Sequence, residues 1–290
     1  MGRIHVPDPA VTLVELLEVE LACLTWGPSD GPLVVLVHGF PETPHTWRAI
    51  APRLAAEGFW VVAPYTRGIA PSTRPRTGRY DSDALGRDIA ALIGALGASQ
   101  AIVIGHDFGA VAAYTAAALW PDRVGKLVTV GLPHPATLRP TLGKLWSGRH
   151  LLSHRLPGAA ARMARHDFAR IRTLYERWSP AFAWADGDFE AAKNAYAAPG
   201  CLEAALGYYR DWHPFVFGAG LQAPIAVPTL IVGGTSDGSL DAADFEASRR
   251  RFTGLVDVAM TPGGHFLHRE HPDALLDHVV PFALDGVAGW

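Results

Sequence analysis

Apolar runs alternate with segments of helical apolar spacing along most of this chain, and that alternation limits the folds open to it. Runs typical of buried strands lie at residues 33–37, 59–63, 101–104, 126–130, 228–232 and 255–260. Helical spacing is found at residues 47–56, 82–96, 108–119, 241–251 and from 272 onward. Buried strands separated by helices are typical of a parallel sheet covered on both faces. The sequence therefore predicts the α/β class, with a mostly parallel central sheet flanked by helices.

One long stretch lacks this alternation. Residues 11–25 are predicted to form an opening pair of strands, but residues 135–221 show only helical patterns and no strand-like run. We therefore expect one core built from residues 1–134 and 222–290. A helical insertion of residues 135–221, which we call the cap, interrupts this core.

Composition excludes several classes of protein. A chain of 290 residues with 49% hydrophobic and 18% charged residues is long and apolar enough for a large buried core. A net charge of -3 gives no electrostatic footprint for nucleic acid or acidic membranes, so neither is expected as a partner. With no apolar run of about 18 residues, no signal-peptide pattern and only two cysteines, the expected location is the cytoplasm.

The most informative segment is the predicted strand-to-helix junction Gly105-His-Asp-Phe-Gly109. A Gly-x-Asp-x-Gly pattern at such a junction predicts a strained turn that lifts the side chain of Asp107 above the sheet. The N terminus of the following helix offers amide donors and positive potential beside that carboxylate. An aspartate at this position can also serve simply as a helix cap. The prediction of a nucleophile therefore depends on partners elsewhere in the chain.

Two candidate catalytic partners of Asp107 follow it along the chain. Asp237 comes directly after the strand predicted at 228–232, and His265 lies in Gly-Gly-His-Phe after the last predicted strand. Taken alone, Asp237 fits a turn residue without a catalytic role equally well, and His265 fits an ordinary loop histidine equally well. Nucleophile, acid and histidine in this chain order are the arrangement of α/β-hydrolases. We therefore predict that Asp107, Asp237 and His265 form a catalytic triad.

The thirteen histidines also raise the question of a metal site. His265, His268 and His271 are spaced three residues apart, but zinc-binding helices combine two histidines and a general base as His-Glu-x-x-His. That spacing is absent here, so we expect neither a metal nor another cofactor. His38 and His106 lie inside motifs where a structural role is expected.

The loop His38-Gly-Phe-Pro41 follows the strand predicted at 33–37. Its position matches the loop that supplies the second oxyanion donor of this fold. We therefore predict an oxyanion hole formed by the backbone amides of Phe40 and Phe108. The imidazole of His38 is expected to hold the loop through a hydrogen bond.

These motifs carry a family resemblance. His38-Gly-Phe-Pro-Glu42, the Asp107 junction and the stretch from Gly263 to Pro272 resemble α/β-hydrolases of the epoxide hydrolase and haloalkane dehalogenase branch, in which aspartate is the nucleophile. The resemblance covers nearly the whole chain, cap included. It implies the α/β-hydrolase fold and hydrolysis of an apolar epoxide to a vicinal diol through an aspartyl ester. His-Gly-x-Pro is more typical of epoxide hydrolases, and dehalogenases usually have tryptophan where this chain has Phe108.

The resemblance also implies residues of the substrate pocket. Two cap residues are expected to donate protons to the epoxide oxygen: Tyr209, in an aromatic-Tyr-Arg stretch, and His150, which takes the place of a first tyrosine. Phe40, Phe108 and Trp47 are expected to line the pocket, where Trp47 would suit a halide.

Other functions remain open at this point. The main alternative is a haloalkane or haloacid dehalogenase with the same triad. Another is a non-catalytic binding protein of this fold. The expected partner is a small-molecule substrate, and a homodimer is compatible with the sequence.

Overall fold

The structure is a computed structural model that describes residues 9–212 and 217–286. Its strands are β1 Ala10–Glu15, β2 Glu20–Trp26, β3 Leu33–Val37, β4 Trp60–Pro64, β5 Ala101–His106, β6 Val124–Val130, β7 Thr229–Gly234 and β8 Val256–Thr261. The α-helices are α1 Ala51–Ala56, α2 Ser82–Ala95, α3 Phe108–Leu119, α4 Leu142–Ser147, α5 Arg149–Ser153, α6 Ala159–Trp178, α7 Glu190–Tyr196, α8 Cys201–Asp211, α9 Ala219–Gln222, α10 Ala242–Ala247, α11 Leu267–Glu270 and α12 Pro272–Leu284. Short 3-10 helices lie at Pro44–Trp47, Pro135–Thr137, Asp186–Asp188 and Ser248–Arg251.

The strands form a single sheet in the order β1-β2-β4-β3-β5-β6-β7-β8. Strands β1 and β2 form an antiparallel pair, and β2 also runs antiparallel to β4. All pairings from β4 through β3 to β8 are parallel. The carboxyl ends of these parallel strands therefore meet at one edge of the sheet, where open α/β folds place their sites.

Each face of the sheet is covered by helices. Val35 and Val103 belong to the apolar layer that contains α2 and α3, whereas Leu36 and Ile104 belong to the layer that contains α1 and α12. This alternation follows from strands whose successive side chains point to opposite faces. The mostly parallel sheet with flanking helices is confirmed.

Two predicted helices differ in detail. The helix expected at 47–56 is a 3-10 helix, Pro44–Trp47, followed by α1, which has Pro52 in its first turn. Proline lacks the amide hydrogen that a helix interior needs and suits a first turn. The helix expected at 241–251 is divided into α10 and a 3-10 helix.

Helices α4–α9 lie between β6 and β7, and the described residues of this segment contain no strand. The longest of them, α6, is interrupted at residues 165–168, where His166, Asp167 and Phe168 have left-handed backbone angles. None of the helices in the described ranges has both the length and the apolar character needed to cross a membrane. We keep the name cap for residues 135–221.

Candidate active site

Asp107 occupies the sharp turn between β5 and α3. Its backbone lies at φ 53 and ψ -121, a conformation that a non-glycine residue rarely adopts. Glycine is required beside it, because a Cβ added at Gly109 would lie 2.0 Å from the carbonyl oxygen of Val37. The Asp107 carboxylate makes no capping hydrogen bond to α3. The helix-cap alternative is therefore not supported, and the carboxylate is available above the sheet edge.

The loop after β3 supplies an amide donor to this carboxylate. The backbone N–H of Phe40 donates to Asp107 Oδ1 at 2.9 Å. His38 fixes this loop: its Nε2 accepts from the backbone N–H of Thr66 at 3.1 Å, so its Nδ1 donates to the carbonyl of Gly39 at 2.8 Å. Burial lowers the pKa of His38 to about 4, which keeps this tautomer neutral. The second predicted donor, the amide of Phe108, belongs to the first residue of α3.

The two predicted partners lie beside the aspartate. His265 Nε2 is 3.6 Å from Asp107 Oδ2, and His265 Nδ1 is 3.3 Å from Asp237 Oδ2. The other oxygen of Asp237 accepts from the backbone amides of Ser239 at 2.7 Å and Leu240 at 3.0 Å. The structure thus brings together the three residues of the predicted triad, with the imidazole between two carboxylates.

The charges of the triad stabilise one another. Burial by itself would lower the pKa of His265, but hydrogen bonds and charges of Asp107 and Asp237 raise it to about 10. Burial would raise the pKa of Asp107, and the hydrogen bond and charge of His265 hold it below its ordinary value. In the resting state the imidazole is therefore an imidazolium, and its charge depends on the negative charge of Asp107.

A second layer, which sequence reasoning did not assign to the site, holds the backbone of His265. The His265 N–H donates to the carbonyl of Trp178 at 3.1 Å, and its carbonyl accepts from His106 Nε2 at 3.0 Å. The other nitrogen of His106 lies 2.8 Å from the carboxylate of Glu42. Both ring nitrogens of His106 thus lie within hydrogen-bonding distance of an oxygen. His106 and Glu42 could have been found because they lie within the motifs around Asp107 and Phe40.

Glu42 also connects this layer to His268. Thr46 Oγ1 hydrogen-bonds the Glu42 carboxylate and lies 2.6 Å from His268 Nε2. Ligand atoms of Glu42, His106 and His268 lie within 4.8 Å of one another, so in the described ranges this is the group that could hold a metal ion. An ion there would compete with the hydrogen bond between His106 and Glu42. The metal site considered from the sequence would have used His265, His268 and His271 instead.

A cavity of about 450 Å³ opens above the triad. Asp107, His265, Phe108, Tyr209 and His150 all line it. The Tyr209 ring packs edge-on against Phe108 with centroids 4.9 Å apart, and the His150 ring lies 5.8 Å from that of Tyr209. Burial and the charge of Asp107 raise the pKa of Tyr209 well above its ordinary value, so the phenol keeps its proton. The structure brings both predicted cap residues to the cavity of the nucleophile.

Two pocket predictions need correction. Trp47 is completely buried against the ring of His268, at a centroid distance of 4.8 Å, and does not line the cavity. Trp47 belongs to the apolar layer that contains α1 and α12, whereas Phe108 and Tyr209 belong to the layer on the opposite face of the sheet, so a halide-binding role is not kept. The side chain of Phe40 also lies outside the lining and supports the Tyr209 ring at 5.3 Å, while its amide faces Asp107.

Comparison with known proteins shows the family to which the chain belongs. Residues 32–272 match the family model of the alpha/beta hydrolase fold. Epoxide hydrolase A of Mycobacterium tuberculosis is 28% identical over 94% of this chain and 97% of its own length. Mouse epoxide hydrolase 3 is 28% identical over 98% of this chain and 77% of its own length. The crystal structure of epoxide hydrolase A from Mycobacterium thermoresistibile superimposes with a TM-score of 0.79 at 27% identity, covering 96% of this chain and 98% of that one.

The chain belongs to the α/β-hydrolase fold family. The predicted fold is confirmed, and so are the assignment to hydrolases and the resemblance to epoxide hydrolases.

Proposed function

We propose that this protein is an epoxide hydrolase that converts an apolar epoxide to a vicinal diol through an ester of Asp107. The observation that carries the proposal is the carboxylate of Asp107, which faces a mainly apolar cavity together with His265 and the phenol of Tyr209. A carboxylate displaces oxygen at a saturated carbon without prior deprotonation. At an ester carbonyl it would form an anhydride instead, which disfavours an ordinary esterase.

In the first step Asp107 Oδ2 attacks a ring carbon of the epoxide. A carbon–oxygen bond forms to the aspartate and the ring carbon–oxygen bond breaks. The resulting alkoxide takes a proton from Tyr209, assisted by His150. Asp107 Oδ1 remains at the amide of Phe40, where it becomes the carbonyl oxygen of the ester.

In the second step water hydrolyses this ester. Alkylation removes the negative charge of Asp107, so His265 loses one of the two charges that raise its pKa. The imidazolium can then give its proton to the phenolate of Tyr209, which restores the phenol and leaves His265 as a neutral base. It takes a proton from water, whose oxygen attacks the ester carbonyl. The amides of Phe40 and Phe108 stabilise the oxyanion, at about 3 kcal/mol per donor. The bond between the acyl carbon and the ester oxygen breaks, and the departing alkoxide takes the proton of the new carboxylic acid of Asp107 and leaves as the diol. The Asp107 carboxylate, the His265 imidazolium and the Tyr209 phenol are thereby restored.

Intact-mass measurement on a His265→Gln variant tests the proposal. Because the variant lacks the base of the second step, incubation with a panel of apolar epoxides should add one substrate mass to Asp107. The wild type should release diol and carry no stable adduct. Neither adduct nor diol with any epoxide would refute the proposal, and halide release from haloalkanes without diol formation would favour a dehalogenase.

A further inference from the structure

The cap carries a strong local charge that the chain average conceals. Residues 139–166 contain six lysine and arginine residues and no aspartate or glutamate, while the whole chain has a net charge of -3. Arg139 and Arg149 are exposed. Lys144 is paired with Asp244 of the core, so the positive charge that faces solvent comes mainly from the arginines.

Large apolar side chains are exposed along the same segment. Leu142 is 88% exposed, Trp146 70%, Leu152 68% and Leu156 57%. Leu142 and Trp146 lie four residues apart on α4 and therefore on one face of that helix. The guanidinium of Arg149 lies 4.5 Å from the centre of the Trp146 ring. We call Arg139, Leu142, Trp146, Arg149, Leu152 and Leu156 the docking face.

The docking face adjoins the cavity. Arg139 itself lines the cavity, and so do Lys144, Gly148 and Leu151, which lie between members of the docking face in the chain. The segment that exposes tryptophan and leucine to solvent thus also forms part of the cavity wall above Asp107. A molecule that covered this face would sit at the wall of the pocket.

We infer that the docking face binds the surface of an anionic lipid bilayer. Interleaved arginine, tryptophan and leucine on an exposed helical segment are the composition of an interfacial membrane contact. Basic residues are attracted to anionic lipids, and the apolar side chains enter the region between head groups and acyl chains. A symmetric dimer through this face would bring two sets of positive charges together, which is repulsive. Delivery of an apolar epoxide from the lipid into the cavity rests on the proposed function, whereas the docking does not.

Co-sedimentation of the full chain with vesicles tests the docking separately from catalysis. The protein should pellet with vesicles of phosphatidylcholine and phosphatidylglycerol, but not with phosphatidylcholine alone, and salt should weaken the binding. Arg139→Gln with Arg149→Gln should weaken binding about thirty-fold, since each basic residue at such a surface contributes on the order of 1 kcal/mol. Leu142→Ser with Trp146→Ser should weaken it at least about ten-fold.

Two matched controls lie away from the docking face. Leu255 is 80% exposed just before β8, at the opposite edge of the sheet, and Arg250 is exposed nearby. Leu255→Ser and Arg250→Gln should bind vesicles like the wild type. Absent binding to anionic vesicles, equal binding to both lipid compositions, or equal losses in the controls would overturn the inference. So would a dimer in light scattering that Leu142→Ser with Trp146→Ser dissociates, because a second copy would then cover the face.

Discussion

Replacing Asp237 with asparagine tests the proposed role of the triad with a nearly isosteric change. One oxygen of Asp237 accepts from the amides of Ser239 and Leu240 at 2.7 and 3.0 Å. An asparagine must keep its carbonyl oxygen at these two donors, because its NH₂ group cannot accept hydrogen bonds. The NH₂ group would then face Nδ1 of His265, where Asp237 Oδ2 now lies at 3.3 Å.

The expected consequence is a change of tautomer. A donor opposite Nδ1 requires that nitrogen to be unprotonated, so the hydrogen of a neutral ring moves to Nε2, the nitrogen that must accept a proton from water. In a serine protease triad the same substitution lowers turnover about ten-thousand-fold. We expect a loss of that order in ester hydrolysis, while attack by Asp107, which needs no base, is much less affected.

Rapid-quench mass spectrometry with an epoxide that the wild type converts distinguishes the two steps. In Asp237→Asn the substrate adduct should form and persist, and diol should appear only slowly. Asp257→Asn is the matched control, because Asp257 is exposed on β8. A ten-fold or smaller loss of turnover, or equal slowing of both steps in a variant with wild-type circular dichroism, would refute the reasoning.

Three further substitutions test other parts of the site. Gly39→Ala would place a Cβ 2.4 Å from that of Asp107 and should lower diol formation at least about a hundred-fold, whereas Gly187→Ala, with open space around it, should leave the rate unchanged. Tyr209→Phe should slow adduct formation by about a hundred-fold or more in rapid-quench experiments without slowing breakdown of the adduct. Asp107→Asn should lower the pKa of His265 from about 10 in an NMR titration. In the wild type, the raised pKa of His265 stabilises the fold fully at pH values below the ordinary pKa of histidine, and this stabilisation is lost as pH rises through about 10. In Asp107→Asn the pKa of His265 is lower, so the same loss should occur over a lower range of pH. An unchanged His265 titration would contradict the assigned ion pair.

Much of the architecture could be predicted because it depends on local patterns. Apolar runs gave the strands of the parallel sheet, and glycine spacing indicated the turn at Asp107. The chain order of Asp237 and His265 then sufficed to place them together, since the carboxyl ends of parallel strands share one edge.

The burial and the contacts of individual side chains could not be predicted in the same way. Trp47 follows the oxyanion loop closely in the sequence, but it packs against His268, which comes from the far end of the chain. The contact between Glu42 and His106 likewise joins two motifs that are far apart in the chain, and neither motif by itself indicates the other. Such contacts depend on how helices pack across the sheet, which no local pattern specifies. The left-handed interruption of α6 at residues 165–168 has no local signal either, because none of these residues is glycine.

The position of the cap insertion has a consequence for how such an enzyme can diverge. The chain leaves the sheet after β6 and returns at β7, so Asp107 lies before the insertion and Asp237 and His265 lie after it. The two residues proposed to act on the epoxide oxygen, Tyr209 in α8 and His150 in α5, lie inside the insertion. Under the proposed mechanism, breakdown of the ester is a property of the host scaffold, while the choice of epoxide is a property of the exchangeable segment. A chimera with a foreign cap would therefore acquire new selectivity at unchanged ester hydrolysis, provided that the graft returns a phenol to the place of Tyr209.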